Sequence, residues 1–142
     1  MRVDLHNDYR YLPLFTPKAA VTDNTAQVSA VIDLQNALGC ELVLVTGTLS
    51  DADATFATLV EHGDAADFSD AATVPAEDLI GLASGANFTF ASDGKAIKIG
   101  YKGTKGRLRV TVTPANNTGN LFLAGVAVLG PTRTSPNSTQ IL

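Results

Sequence analysis

Tryptophan is absent from this chain, cysteine occurs once, and aromatic residues make up only 6% of it. Each shortage closes a class of function. Six phenylalanines and three tyrosines scattered through 142 residues give no stacking platform for nucleic-acid bases. A single cysteine, Cys40, excludes an internal disulfide. Its setting, "ALGCELVLV", is that of a buried and unreactive thiol. A catalytic thiol would need a histidine brought beside it, and the chain holds two. His6 lies in an N-terminal stretch with prolines and His62 beside an acidic turn, so neither points to nucleophilic catalysis. No apolar run approaches the roughly 18 residues of a membrane-spanning helix. The opening "MRVDLHNDYRYLPLF" carries acids and a proline where a secretory signal would be continuously apolar. A net charge of -4 and a pI near 4.9 point away from a dedicated nucleic-acid binder. No Gly-rich phosphate loop opens a helix.

What is present is alternation. Hydrophobic residues make up 45% and charged residues 17%, a balance suited to one domain with one core. From about residue 25 the chain reads as seven or eight short strands separated by turn signals. "QVSAVIDLQ" places Val28, Ala30, Ile32 and Leu34 on one face. "CELVLVTGTL" and "NLFLAGVAVLG" are apolar at both parities, the pattern of central strands covered on each side. "TFATLVEH", "ANFTFA", "KAIKIGYKG" and "RLRVTVT" complete the set, with "SDG" and "TKG" as turns. Regular spacing of this kind predicts an all-β fold, a single antiparallel β-sandwich with either jelly-roll or immunoglobulin-like strand order. Residues 1–20 read as an extended arm, because "YLPLFTPKAA" combines prolines with exposed apolar side chains. Residues 21–131 form the sandwich, and 132–142 a polar tail.

Five basic residues fall between 98 and 109 in an acidic chain. Lys98, Lys102, Lys105, Arg107 and Arg109 alternate with Ile99, Tyr101, Leu108 and Val110. That spacing is the solvent side of a hairpin whose other side is core. It leaves a basic face available to an acidic partner surface and gives no phosphate cradle. Asp51 and Asp53 of "DADAT" open like a calcium loop, but Phe56 stands where that loop needs glycine and His62 where it needs glutamate. The acidic segment with Glu61, Asp64, Asp67 and Asp70 reads as a solvated connection. Three N-x-[ST] sequons, at Asn87, Asn116 and Asn137, are read as chance. No catalytic, cofactor or metal residues are assigned.

The ordered series "VIDL", "TGTL", "DADATF", "LVEHGD", "DLIG", "IGYKG", "RLRVTVTP" and "GVAVLGPTR", spanning about residues 28–133, resembles a family of small structural proteins of tailed bacteriophages. The resemblance implies a non-enzymatic virion component on the surface of the phage head, made in the host cytoplasm. Its partners would be the major capsid protein and further copies of itself, as expected of a capsid decoration, or cement, protein. A head-completion or tail-associated role is the alternative. A carbohydrate-binding sandwich is a third reading, disfavoured by the aromatic content, and a hydrolase the last. The expected contact residues are Tyr9, Tyr11, Leu12, Leu14 and Phe15 of the arm, Lys102, Lys105, Arg107 and Arg109 of the basic face, and Ile141 and Leu142 of the tail. No membrane, specific nucleic acid or small-molecule substrate is expected.

Overall fold

The computed structural model describes residues 4–81 and 83–131. Two antiparallel sheets face each other across one core. The first contains β1 (Arg10–Phe15), β11 (Leu121–Leu129), β4 (Cys40–Leu49), β9 (Ala96–Tyr101) and β7 (Leu79–Ile80), in that order. The second runs β2 (Gln27–Val28), β10 (Arg107–Ala115), β5 (Thr55–Gly63) and β6 (Ala72–Thr73). β3 (Ile32–Asp33) also pairs with β10, and β8 (Phe88–Thr89) with β5. Most connections carry the chain from one sheet to the other. The sandwich is therefore a jelly roll, which settles the strand order that alternation alone leaves open.

Period-2 patterning explains the core. On β10, Leu108, Val110 and Val112 are fully buried, while Arg107, Arg109 and Thr111 between them reach partly to solvent. Leu42 and Leu44 of β4, Ile99 and Tyr101 of β9, and Leu121, Ala127 and Leu129 of β11 close the core from the other side. Phe56 stacks on Phe88 with ring centroids 4.8 Å apart and planes 18° from parallel, a pair contributing about 0.5–1.5 kcal/mol beyond its burial. "ELVLV" and "LFLAGVAVL" are indeed inner strands, each hydrogen-bonded on both edges.

Four expectations need correcting. The stretch read as an extended arm outside the sandwich contains an edge strand: Arg10 pairs with Leu129 and Pro13 with Val126. Leu14 and Phe15 are core residues, at 2% and 8% exposure. Proline is tolerated there because β1 lies at the sheet edge, where a missing donor faces no partner. "QVSAVIDLQ" is not one strand, and its register is inverted at the start: Gln27 is buried and Val28 is 56% exposed. Polar side chains win the inner positions because they bond the backbone. Gln27 Nε2 donates to the Thr25 carbonyl, and Ser29 Oγ accepts from Val110 N–H while donating to the Ala30 carbonyl. "KIGYKGTKGRLRV" is not a hairpin either. β9 belongs to the first sheet and β10 to the second, so loop 102–106 crosses between them. Likewise the turn at Gly94 (φ +64°) joins strands of different sheets.

Candidate interaction surfaces

The outward side of the five-stranded sheet is apolar. Antiparallel register puts directly opposed residues on the same face. One row holds Tyr11, Val128 and Glu41; the next Pro13, Val126, Val43 and Lys98; the next Ala124, Val45 and Ala96. Phe122 extends the patch over Gly47, where an added Cβ would sit 2.8 Å from the Phe122 Cβ. Tyr11, Val45, Phe122 and Val126 are 38–43% exposed. Only Glu41 and Lys98 bring charge to these rows. Four strands by about six residues give a patch of roughly 400 Å², the size at which exposed apolar surface on a monomer tends to be functional.

The outward side of the six-stranded sheet differs. Its rows run Arg109–Glu61–Thr73, Val28–Thr111–Leu59 and Thr113–Ala57. Arg109 binds Glu61 through Nε at 3.0 Å and a second nitrogen at 2.7 Å, and its guanidinium lies 4.9 Å from the Phe68 ring centre. Val28 and Leu59 are the large exposed hydrophobics of its rows.

The basic cluster is therefore largely neutralised from within. Arg109 takes Glu61. Arg107 lies 3.6 Å from Asp33 and donates to the Asp64 carbonyl. Lys105 Nζ is 2.8 Å from Asp64 Oδ2. Lys102 and Lys98 remain exposed with no ion pair among the described residues. A continuous basic face for an acidic partner is not what the fold presents.

Of the arm residues, Tyr11 reaches the apolar face and its hydroxyl lies 3.5 Å from the Leu5 carbonyl. Tyr9 packs its ring over Gly130, Leu12 is half-buried against the core, and Leu14 and Phe15 are inside it. Ile141 and Leu142 lie outside the described residues. The residues that dominate the apolar face, Val45, Phe122 and Val126, were not singled out in the sequence. The available signal was the double-faced apolar pattern of β4 and β11, which implies a cover on each side. The fold supplies one cover, the second sheet.

At one end of the sandwich an open groove of about 940 Å³ runs between loop 33–39 and loop 101–107, with Ile80 and Leu38 on its rim. The loop 102–106 wall is tied down in two ways. Asp64 accepts from Lys105 Nζ and from Gly106 N–H at 2.9 Å. The Tyr101 hydroxyl accepts the Lys105 N–H at 3.0 Å and lies 3.0 Å from His62 Nδ1. Burial pushes the Tyr101 hydroxyl above its ordinary value, so it keeps its proton. Burial also pushes the Cys40 thiol, at the groove floor, up to about 12, which leaves no thiolate at neutral pH.

Two further acids brace turns. Asp51 accepts from Thr118 N–H, Thr118 Oγ1 and Asp53 N–H, so its carboxyl is held below the usual range and serves to brace a turn. Asp70 accepts from the amides of Asp64 and Ala65 and is lowered likewise. Asn87, in the first sequon, accepts the Thr58 N–H at 2.8 Å.

No family model matches this sequence, and no curated protein does. Solved structures offer distant likenesses. The family 22 carbohydrate-binding and family 10 hydrolase modules of Clostridium thermocellum xylanase 10B, complexed with xylohexaose, align over 91% of this chain and 27% of theirs, at 11% identity and a TM-score of 0.46. The xylan-binding domain from Paenibacillus barcinonensis Xyn10C aligns over 88% of each chain, at 10% identity and a TM-score of 0.46. A structure of infectious bursal disease virus, Gt strain, aligns over 87% of this chain and 32% of that one, at 10% identity and a TM-score of 0.32. Likenesses this distant carry no argument about function.

Proposed function

We infer that this chain is a non-enzymatic structural protein that attaches to a virion, most specifically a capsid decoration protein on a phage head. The observation that carries the reading is the apolar outer face of the five-stranded sheet. Tyr11, Val43, Val45, Phe122, Val126 and Val128 are presented by rigid inner and edge strands, with two charges among the rows. Such a face suits docking onto a flat protein surface. Its area also fits a lattice. Stable pairwise interfaces bury about 800 Å² per partner, roughly twice this patch. One contact of this size is weak alone. A particle that offers many equivalent sites and neighbouring copies makes up the difference through multivalency.

The test is sedimentation of the purified chain with bare phage capsids assembled from a purified candidate coat protein. The reading expects saturable co-pelleting that tracks the number of capsid subunits. Absence of binding to capsids would overturn it. Binding to tail tubes instead would select the head-completion or tail-associated alternative, and retention on xylan the carbohydrate-binding one.

A further inference from the structure

We propose that loop 102–106, one wall of the end groove, is held by a proton-sensitive latch between His62 and Tyr101, and that it loosens when His62 takes up a proton. The argument rests on hydrogen-bond directions. The Tyr101 side chain is inside the sandwich, at 3% exposure, and so is His62, at 9%. The Tyr101 oxygen already accepts the Lys105 N–H at 3.0 Å. The hydroxyl has one proton to give, and His62 Nδ1 stands 3.0 Å away to receive it. That assigns His62 as the neutral imidazole with its hydrogen on Nε2. The loop is wound closely around this oxygen: a Cβ on Gly103 would lie 2.5 Å from it.

Protonation turns Nδ1 from acceptor to donor. Two donors then point at the Tyr101 oxygen, and the buried tyrosine proton loses its acceptor. The bond that weakens with it is the one from Lys105 N–H. The charged surroundings allow the change. From loop 64–71, Asp64 is near enough for a charge on a protonated His62 to act on it, and Asp70 accepts from the amides of Asp64 and Ala65. From loop 102–106, Lys105 is bound to Asp64. The flanking cations of β10, Arg107 and Arg109, are turned outward onto Asp33 and Glu61, and β6 sets Ala72 against β5 at His62. The ring therefore meets no uncompensated cation. The latch is independent of what the apolar face binds.

The experiment is nuclear magnetic resonance on the labelled full chain. Imidazole nitrogen shifts report the His62 tautomer, and amide exchange, corrected for the intrinsic pH dependence, reports protection at Lys105. The expected result is an unprotonated Nδ1 at high pH and a fall of about tenfold in Lys105 protection as pH drops through the His62 titration, with Val110 protection unchanged. In His62→Gln the Lys105 protection should be flat over that range. Three outcomes overturn the proposal: a proton on Nδ1 at high pH in the wild type, flat Lys105 protection through the His62 titration, or the same fall in the glutamine variant. The tautomer is read in the wild type, so the proposal stays testable if the variant does not fold.

Discussion

The two outer faces of this sandwich are made by the same alternation and end up unlike. On the six-stranded sheet most outward residues are what solvent would select, Arg109, Glu61, Thr111 and Thr113, with Val28 and Leu59 the large apolar exceptions and Arg109 bridging Glu61 and Phe68. On the five-stranded sheet the second residue is again apolar: Val43, Val45, Phe122, Val126, Val128. Folding does not need that second set, because the core is complete without it. Leu42, Leu44, Leu121, Ala127 and Leu129 already close against the opposite sheet. The apolar second set is therefore surface that the fold itself does not cover.

The largest effect expected from this contrast is on attachment. Val45→Lys together with Val126→Lys places two charges at the middle of the apolar face. Capsid association should fall at least about a hundredfold, since each lysine loses its water on docking without gaining a partner. Both positions are part-exposed, so the circular dichroism spectrum should match the wild type and the melting temperature should stay within a few degrees. Undiminished binding would break the comparison.

The mirror experiment is Arg109→Ala on the other face. It strips Glu61, only 18% exposed, of its cation and uncovers Phe68. Stability should drop by about 1–2 kcal/mol in urea titrations, while capsid association changes less than about twofold. The two variants separate binding from folding in opposite directions.

Acid should divide stability from attachment as well. Asp64 is held below its ordinary 3.8, first by Lys105 and then by Gly106 N–H, and Asp51 first by Thr118 N–H. A carboxyl with a folded value below its unfolded one contributes stability that is fully present above the ordinary range. That contribution is lost as pH falls through the folded value. The urea midpoint should therefore be steady from about pH 7 to pH 5 as far as these groups are concerned, and should fall below pH 4. A midpoint unchanged at pH 3 would contradict the turn-bracing role of these acids.

The smallest effect concerns salt. With only Glu41 and Lys98 in the apolar rows, capsid affinity should change less than about threefold between 50 and 500 mM salt. A steep salt dependence would move the contact to the acidic segment or to Lys102.

Strand alternation made the all-β fold and most of its core legible in the sequence. "RLRVTVT" could be read residue by residue, because each outward side chain is polar. The same reading failed at "QVSAVIDLQ". There Gln27 and Ser29 turn inward to bond backbone groups, and parity of hydrophobicity says nothing about such bonds. It failed at β1 because prolines among apolar and aromatic residues look like an extended arm outside the sandwich until a neighbour, β11, is known to pair with it. Which sheet each strand joins was also hidden. β9 and β10 are separated by a tight loop, as in a hairpin, yet they pair with different partners. The candidate interface was half legible. Double-faced strands signalled apolar surface on both sides, and only the three-dimensional arrangement shows which side is left outward.

Side-chain footprinting with hydroxyl radicals tests the central claim most directly. The full chain is oxidised free in solution and again on capsids, and modification is read by mass spectrometry. Tyr11 and Phe122, on the five-stranded sheet, should lose most of their reactivity on the particle, while Leu59, 39% exposed on the opposite sheet, keeps its own. Protection of Leu59 with Tyr11 and Phe122 still reactive would contradict the account and assign the contact to the other face.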